Sequence, residues 1–256
     1  MFRNLPPVTK NILILNVLFY LGSVVLQSSG IPAFDYLSGR YLNAPFFEPY
    51  QIVTHMFMHS QFDPLHIFFN MFLLLMFGAH LENVWGGKRF FIFYFACGLG
   101  AFLLYNVIGY IQIMELKSEL AAAGFDIGRV DRELMEHRFD SSISFIEFGE
   151  KALIPDNQAL LSEYYNYAMS SLVGASGAIF GLLAGFAMLF PNTELQIIFL
   201  PIRIKAKWLI GGYLAYEVYA TFFVSGDQIA HLAHVGGAIV GIVLVLIWRR
   251  FGKQFY

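Results

Sequence analysis

The stretch "GASGAIFGLLAG", residues 174–185, decides how this chain is read. It sets one hydroxyl, Ser176, at the head of a run otherwise built from Gly, Ala, Ile, Leu and Phe. Gly177, Gly181 and Gly185 recur every fourth residue and so fall on one face of a helix. Such a stripe of small residues lets two helix backbones approach closely in a membrane. A lone serine in that setting is ordinarily a packing residue. Whether it is more than that depends on what else lies at its depth.

Composition places the helix in a bilayer. Of 256 residues, 57% are hydrophobic and 13% are charged, against about a quarter charged in a soluble domain. The single cysteine, Cys97, excludes an intrachain disulfide framework. A net charge of −2 and the absence of any basic run longer than two residues give no sign of a nucleic-acid partner. The first apolar run is too long for the core of a signal peptide and has no small-residue cleavage site after it, so it is read as a membrane helix.

A spanning helix needs about 20 mostly apolar residues. Six segments qualify: 11–29, 66–84, 90–114, 171–190, 208–224 and 228–248. The expected fold class is therefore an all-α polytopic membrane protein, one six-helix domain over 1–256. Turn signals separate the spans at Gly86-Gly87, Pro191-Asn192, Pro201 and Ser225-Gly226-Asp227. Ten of the sixteen basic residues, Lys88, Arg89, Arg203, Lys205, Lys207, Arg249 and Arg250 among them, fall on the side shared by both termini. That side is expected to be cytoplasmic. The expectation is a multi-pass protein of a bacterial inner membrane, with the lipid bilayer as one partner; nothing bears on its oligomeric state.

Two outer segments are long. Residues 31–65 are aromatic and interrupted by prolines, which suits a loop lying in the headgroup region. Residues 115–167 hold eleven acids against five bases. They are expected to form an extracytoplasmic helical insert, with a helix, a turn around Gly124, and a second helix.

Polar residues at membrane depth default to a functional reading. Three clusters stand out, each at the outer head of an even-numbered span. They are His66 and Asn70 on one face in "HIFFN", Ser176 in "GASG", and His231 and His234 in "AHLAHVGG". Ser176 lies fifteen residues before Pro191, and His234 fifteen before Arg249. Both therefore sit about 22 Å above the inner boundary at 1.5 Å per residue. Small stripes at Gly177, Gly181 and Gly185 and at Gly237 and Gly241 would bring the two helices together. A neutral imidazole beside a serine can take its proton and make it a nucleophile. His66 and Asn70 side chains and the Ser176 amide offer donors for a developing oxyanion.

Together, H-x-x-x-N at His66 and Asn70, G-x-S-G from Gly174 through Gly177, and A-H-x-x-G from Ala233 to Gly237 resemble the rhomboid intramembrane serine proteases. The resemblance covers all six spans. It implies an endopeptidase that cuts transmembrane segments of membrane proteins near the outer face through an acyl-enzyme, without cofactor or metal. It implies Ser176 as nucleophile, His234 as general base and acid, and His66, Asn70 and the Ser176 amide as the oxyanion hole. Phe180 matches the aromatic on which the family's histidine stacks, and Gly174, Gly177 and Gly237 are supporting positions. The chain departs from the family pattern at Tyr50-Gln51, where Trp-Arg is frequent, and in the length of its acidic insert.

Other assignments weigh less. His231 is expected to be structural. His55 and His59, spaced by four, are expected to cap the interfacial loop rather than bind metal, since no fitting acidic ligand accompanies them. Glu217, the one carboxylate at membrane depth, is expected to bond between helices rather than complete a triad with His234. Asp227 lies two turns above His234 and out of reach. A catalytically silent, client-binding relative and a small transporter are the alternative functions, though neither repeat symmetry nor broken helices favour the second.

Overall fold

The computed structural model describes residues 5–136, 148–196, 202–224 and 228–251. The turn at Ser225-Gly226-Asp227, and with it the placement expected of Asp227, lies outside these residues, as do Pro201 and the stretch 137–147 of the insert.

The described residues are predominantly helical. Helix α1 (Pro7–Ser28) starts on Pro7, whose missing N–H is no loss in a first helical turn. Glu82 serves as its cap from a distance: its carboxylate accepts from the Val8 N–H at 2.9 Å, the Thr9 N–H at 2.7 Å and the Thr9 hydroxyl at 2.8 Å. A turn at Gly30, with φ of 80°, leads into the short helix α2 (Ala33–Leu37). After an irregular stretch come α3 (Gln51–Thr54) and a 3₁₀ turn (His55–Phe57). Helix α4 (Pro64–Leu73) is capped by Asp63, whose side chain accepts from the Leu65 N–H. It passes through a π turn (Leu74–Gly78) into α5 (Ala79–Trp85) without a break in the span.

Helix α6 (Gly87–Ala122) is 36 residues long, about 54 Å, and outruns a hydrocarbon core of about 30 Å. The expected span 90–114 and the first helix of the insert are thus one continuous rod. It ends at Gly124, φ 81°, and α7 (Ile127–Glu136) folds back from it, the helix–turn–helix that the sequence predicts. A 3₁₀ turn (Glu150–Leu153) and α8 (Pro155–Met169) return the chain along α6. Helix α9 (Ser176–Leu189) follows, then a hairpin of β1 (Glu194–Gln196) and β2 (Arg203–Lys205) with Leu195 opposite Ile204. Helices α10 (Ala206–Phe223) and α11 (Gln228–Phe251) are the last described elements.

Among the described residues, four helical segments are long and apolar enough to cross a bilayer: Pro7–Ser28, Pro64–Trp85, Gly87–Ala122 and His231–Arg250. The other two expected spans differ in instructive ways. Residues 171–175 are not helical, because Leu172 pairs with Gly39 through two backbone hydrogen bonds of 2.8 Å. That leaves α9 only 14 residues, about 21 Å, and its head below one face of any bilayer it stands in. Helix α10 is long enough at 18 residues, but Lys207, Glu217 and its tyrosines lower its hydropathy.

The core has two parts. One joins the π turn, α5, the first half of α6, α9 and α11 around Phe77, Trp85, Phe93, Leu182 and Val245. The other joins the second half of α6 to the first loop, α7 and α8 around Tyr41, Tyr105, Ile113, Leu161 and Tyr164. The described part of the acidic segment therefore shares a core with the first loop. Apolar side chains left bare, such as Leu18, Val25, Leu103, Trp208, Phe222 and Phe223, lie on the outward faces of α1, α6 and α10, as lipid contact requires.

Candidate active site

Three helices converge where the sequence placed its small residues. A Cβ on Gly237 of α11 would meet the Gly177 carbonyl oxygen at 1.9 Å, and one on Gly241 would meet that of Gly181 at 2.8 Å. The stripe on α9 lies between two neighbours: a Cβ on Gly177 or Gly181 would strike Ala101 or Cys97 of α6, each at 2.3 Å, and would also meet the Ala233 or Gly237 carbonyl oxygen of α11, at 3.8 and 3.1 Å. A Cβ on Gly185 would crowd Phe93 and Trp85. So the glycines of α11 admit the backbone of α9, while those of α9 admit α6 most closely and the backbone of α11 as well.

This contact sets the heads of α9 and α11 side by side. The Ser176 hydroxyl donates to His234 Nε2 across 3.0 Å. The His234 ring stacks on Phe180, one turn along α9, with centroids 4.1 Å apart and planes at 13°. As the first residue of α9, Ser176 presents an N–H that no carbonyl of the helix accepts. Gly174 makes the turn before it with φ of 110°, a left-handed conformation open to glycine. Its N–H donates to the His55 carbonyl at 2.9 Å.

His66 and Asn70 reach the same place from α4. His66 Nε2 lies 3.0 Å from where a Gly174 Cβ would stand, and the Ser176 Oγ lies 3.6 Å from that point. His66 Nδ1 accepts a long bond of 3.4 Å from the Ser60 N–H, which leaves Nε2 as the protonated nitrogen facing the serine. The Asn70 amide donates one N–H to the His66 carbonyl at 2.7 Å and keeps a second. All four side chains border one cavity of about 390 Å³, which Asp63, Phe69, Phe180 and Tyr213 also line. That volume suits a short piece of extended peptide.

Glu217 corrects an expectation. It does bond between helices, as the sequence predicts, but one of those bonds goes to the site. Its Oε2 accepts from His234 Nδ1 at 2.9 Å and from His231 Nδ1 at 2.6 Å. Counting residues along α10 gives the depth of Glu217 but not its face, and the face decides. These three groups bring potential ligand atoms within 4.8 Å of one another, the spacing of a possible cation seat. Two imidazole N–H groups on one carboxylate oxygen are already a satisfied hydrogen-bond set.

His55 and His59 also differ from expectation. They do not cap the loop at an interface but are buried, 2% and 0% exposed. His55 Nδ1 donates to the Gln51 carbonyl at 2.9 Å, and its ring lies 5.1 Å from that of Phe102. Burial pushes both imidazoles down to about 4, His59 with help from the nearby His66. They stay neutral, and His55 carries the carbonyl that anchors the turn before Ser176.

Sequence reasoning missed Arg40. It is 1% exposed, sits 3.3 Å from the Asp35 carboxylate, and donates to the Met169 carbonyl at the end of α8. The neighbouring Tyr41 stacks on Tyr105, centroids 4.2 Å apart, in room left by Gly109. The only signal available was "GRYL", an arginine amid apolar residues of a loop.

The Rhomboid domain family profile matches residues 47–114 and 152–251 and passes over most of the acidic segment. A curated relative is Rhomboid-like protein 11, chloroplastic, of Arabidopsis thaliana, 25% identical over 249 residues. That alignment takes in 94% of this chain and 65% of the relative, so the chain spans about two thirds of the plant protein's length. The matched segments hold Ser176, His234, His66 and Asn70 and cover well over half of the 256 residues, and the chain accordingly belongs to the rhomboid family.

Proposed function

We propose that this protein is an intramembrane serine endopeptidase. The observation that carries the reading is the 3.0 Å contact between Ser176 and His234, held by close packing of α9 on α11 and by the Phe180 stack. On this reading α9 and α10 join the four longer segments as a six-helix bundle with both termini cytoplasmic, the segment 115–167 is an outer insert, and the site opens outward.

His234 Nε2 takes the Ser176 proton as Oγ attacks the scissile carbonyl carbon. The electron pair of the carbonyl moves to oxygen, and the oxyanion is met by the Ser176 N–H, His66 Nε2–H and the free Asn70 N–H. Each such donor contributes about 10²–10³ in rate in comparable acyl-transfer sites. Collapse breaks the C–N bond, and the leaving amine receives the proton held by His234. Water, deprotonated by the same imidazole, then hydrolyses the acyl ester and regenerates Ser176.

Substrates on this reading are single-pass membrane proteins. A straight helix shields its carbonyls and bonds them internally, so the segment must unwind to reach Ser176. Small residues at the cut suit a crowded site, and Gly or Pro nearby eases unwinding. The test is covalent labelling by a serine-directed fluorophosphonate followed by mass spectrometry. Adduct on Ser176, absent in Ser176→Ala and His234→Ala, is the expected result; a folded protein that takes up no probe at Ser176 would end this reading.

A further inference from the structure

A carboxylate on a membrane helix is expensive to bury and persists where its charge has a use. Glu217 is 2% exposed. A link between α10 and α11 needs one hydrogen bond, and His231 at 2.6 Å already supplies it. The second bond, at 2.9 Å, goes to the imidazole whose far nitrogen meets Ser176.

That second bond has chemical consequences. An acceptor at Nδ1 holds the proton there and leaves Nε2 with its lone pair toward the hydroxyl, the one tautomer able to take the serine proton. Once the proton has moved, the carboxylate faces an imidazolium and offsets its charge. Phe180 fixes the plane of the ring, and Glu217 fixes its rotation within that plane. His231 holds the carboxylate from the other side. Both imidazoles donate to it, as a carboxylate requires.

We propose that Glu217 is the positioning residue of this site, completing a hydrogen-bonded chain Ser176–His234–Glu217, with His231 as its brace. The proposal rests on the serine-protease reading, yet the bond itself can be measured without activity.

The test compares purified full-length wild type with Glu217→Gln, Glu217→Asp and His231→Ala. Gln keeps the shape of the side chain, removes the charge, and offers an N–H that favours the wrong tautomer. Its kcat and its fluorophosphonate labelling rate should fall together by about 10²–10⁴-fold, the range of general-base catalysis. KM should stay within about threefold, because the lost interaction is made in the transition state. Glu217→Asp should recover at least about tenfold of that loss, and His231→Ala should stay within about tenfold of wild type. A merely structural Glu217 would lower the unfolding temperature and leave the rate per folded molecule near wild type, and that result would overturn the proposal. So would labelling that changes on adding EDTA, the mark of a cation seated among Glu217, His231 and His234. If Glu217→Gln does not fold, ¹⁵N-histidine NMR of Ser176→Ala decides: an Nδ1–H tautomer at His234 supports the link, and an Nε2–H tautomer or a mixture refutes it. A wild type inert to probe and substrate but with the Nδ1–H tautomer would remove the protease reading and leave the hydrogen bond standing.

Discussion

Replacing Gly237 by alanine tests whether close packing makes the site. The added methyl would lie 1.9 Å from the Gly177 carbonyl oxygen, 2.7 Å from its carbon and 3.2 Å from its α-carbon. All three are backbone atoms, so no side chain can swing aside. Ordinary contact begins near 3.4 Å, so α9 and α11 must separate locally by about 1.5 Å. The Ser176–His234 contact of 3.0 Å spans the same gap and would open beyond hydrogen-bond reach. A misplacement of about 1 Å can lower an enzymic rate about 10²-fold, and overpacking destabilises a core by about 1–3 kcal/mol. Gly237→Ala should therefore lose at least about 10²-fold in fluorophosphonate labelling while still folding. Gly212→Ala on α10 is the control, since a methyl there meets nothing within 4 Å. The assay is labelling rate per folded molecule, with folding followed by thermal unfolding in detergent. Gly237→Ala labelling at the wild-type rate would refute the argument from backbone contact.

Three further outcomes are expected. Asn70→Ala should lower turnover about 10²-fold but not to background, because the Ser176 amide and His66 remain; steady-state cleavage kinetics check this, and an unchanged rate removes Asn70 from the site. Arg40→Ala strips the ion pair to Asp35 and the bond to the Met169 carbonyl, and should destabilise the fold by about 3 kcal/mol, read as a lower unfolding temperature. Stability should fall as pH drops from 6.5 towards 4, because His55 and His59 hold pKa values near 4 when folded against an ordinary 6.5, so the unfolded chain binds more protons across that window and the contribution is full only above it. An unfolding temperature that stays flat from pH 7 to 4 would contradict the last.

How far the sequence carries depends on the geometry each inference needs. Depth can be counted along a helix, so equal rises from Pro191 and Arg249 put Ser176 and His234 at one level, and the structure sets them 3.0 Å apart. Spacing by four can be read as a shared face, so His66 and Asn70 arrive together at the cavity. The face of one helix toward another cannot be counted, which is why Glu217 reads as an interhelical bond alone. For the same reason the sequence shows the glycines of α9 approaching α11 but not their still closer approach to α6. Irregular segments hide most. Arg40, His55 and the pairing of Gly39 with Leu172 join residues more than a hundred positions apart or buried in a loop, and no periodicity marks them. That pairing also shortens α9, which begins at Ser176 and not at 171 as the apolar run implies.

The most direct test of the account is cleavage in a bilayer. Purified protein is reconstituted into liposomes with a single-pass substrate whose outer segment carries small residues above a Gly-rich stretch, and products are mapped by mass spectrometry. The account expects wild type to cut between the small residues near the outer boundary, and to leave uncut a version whose stretch is replaced by leucines. Ser176→Ala and His234→Ala should leave both substrates whole. Cleavage that persists in Ser176→Ala, or a folded wild type that leaves the Gly-bearing substrate whole, would contradict it.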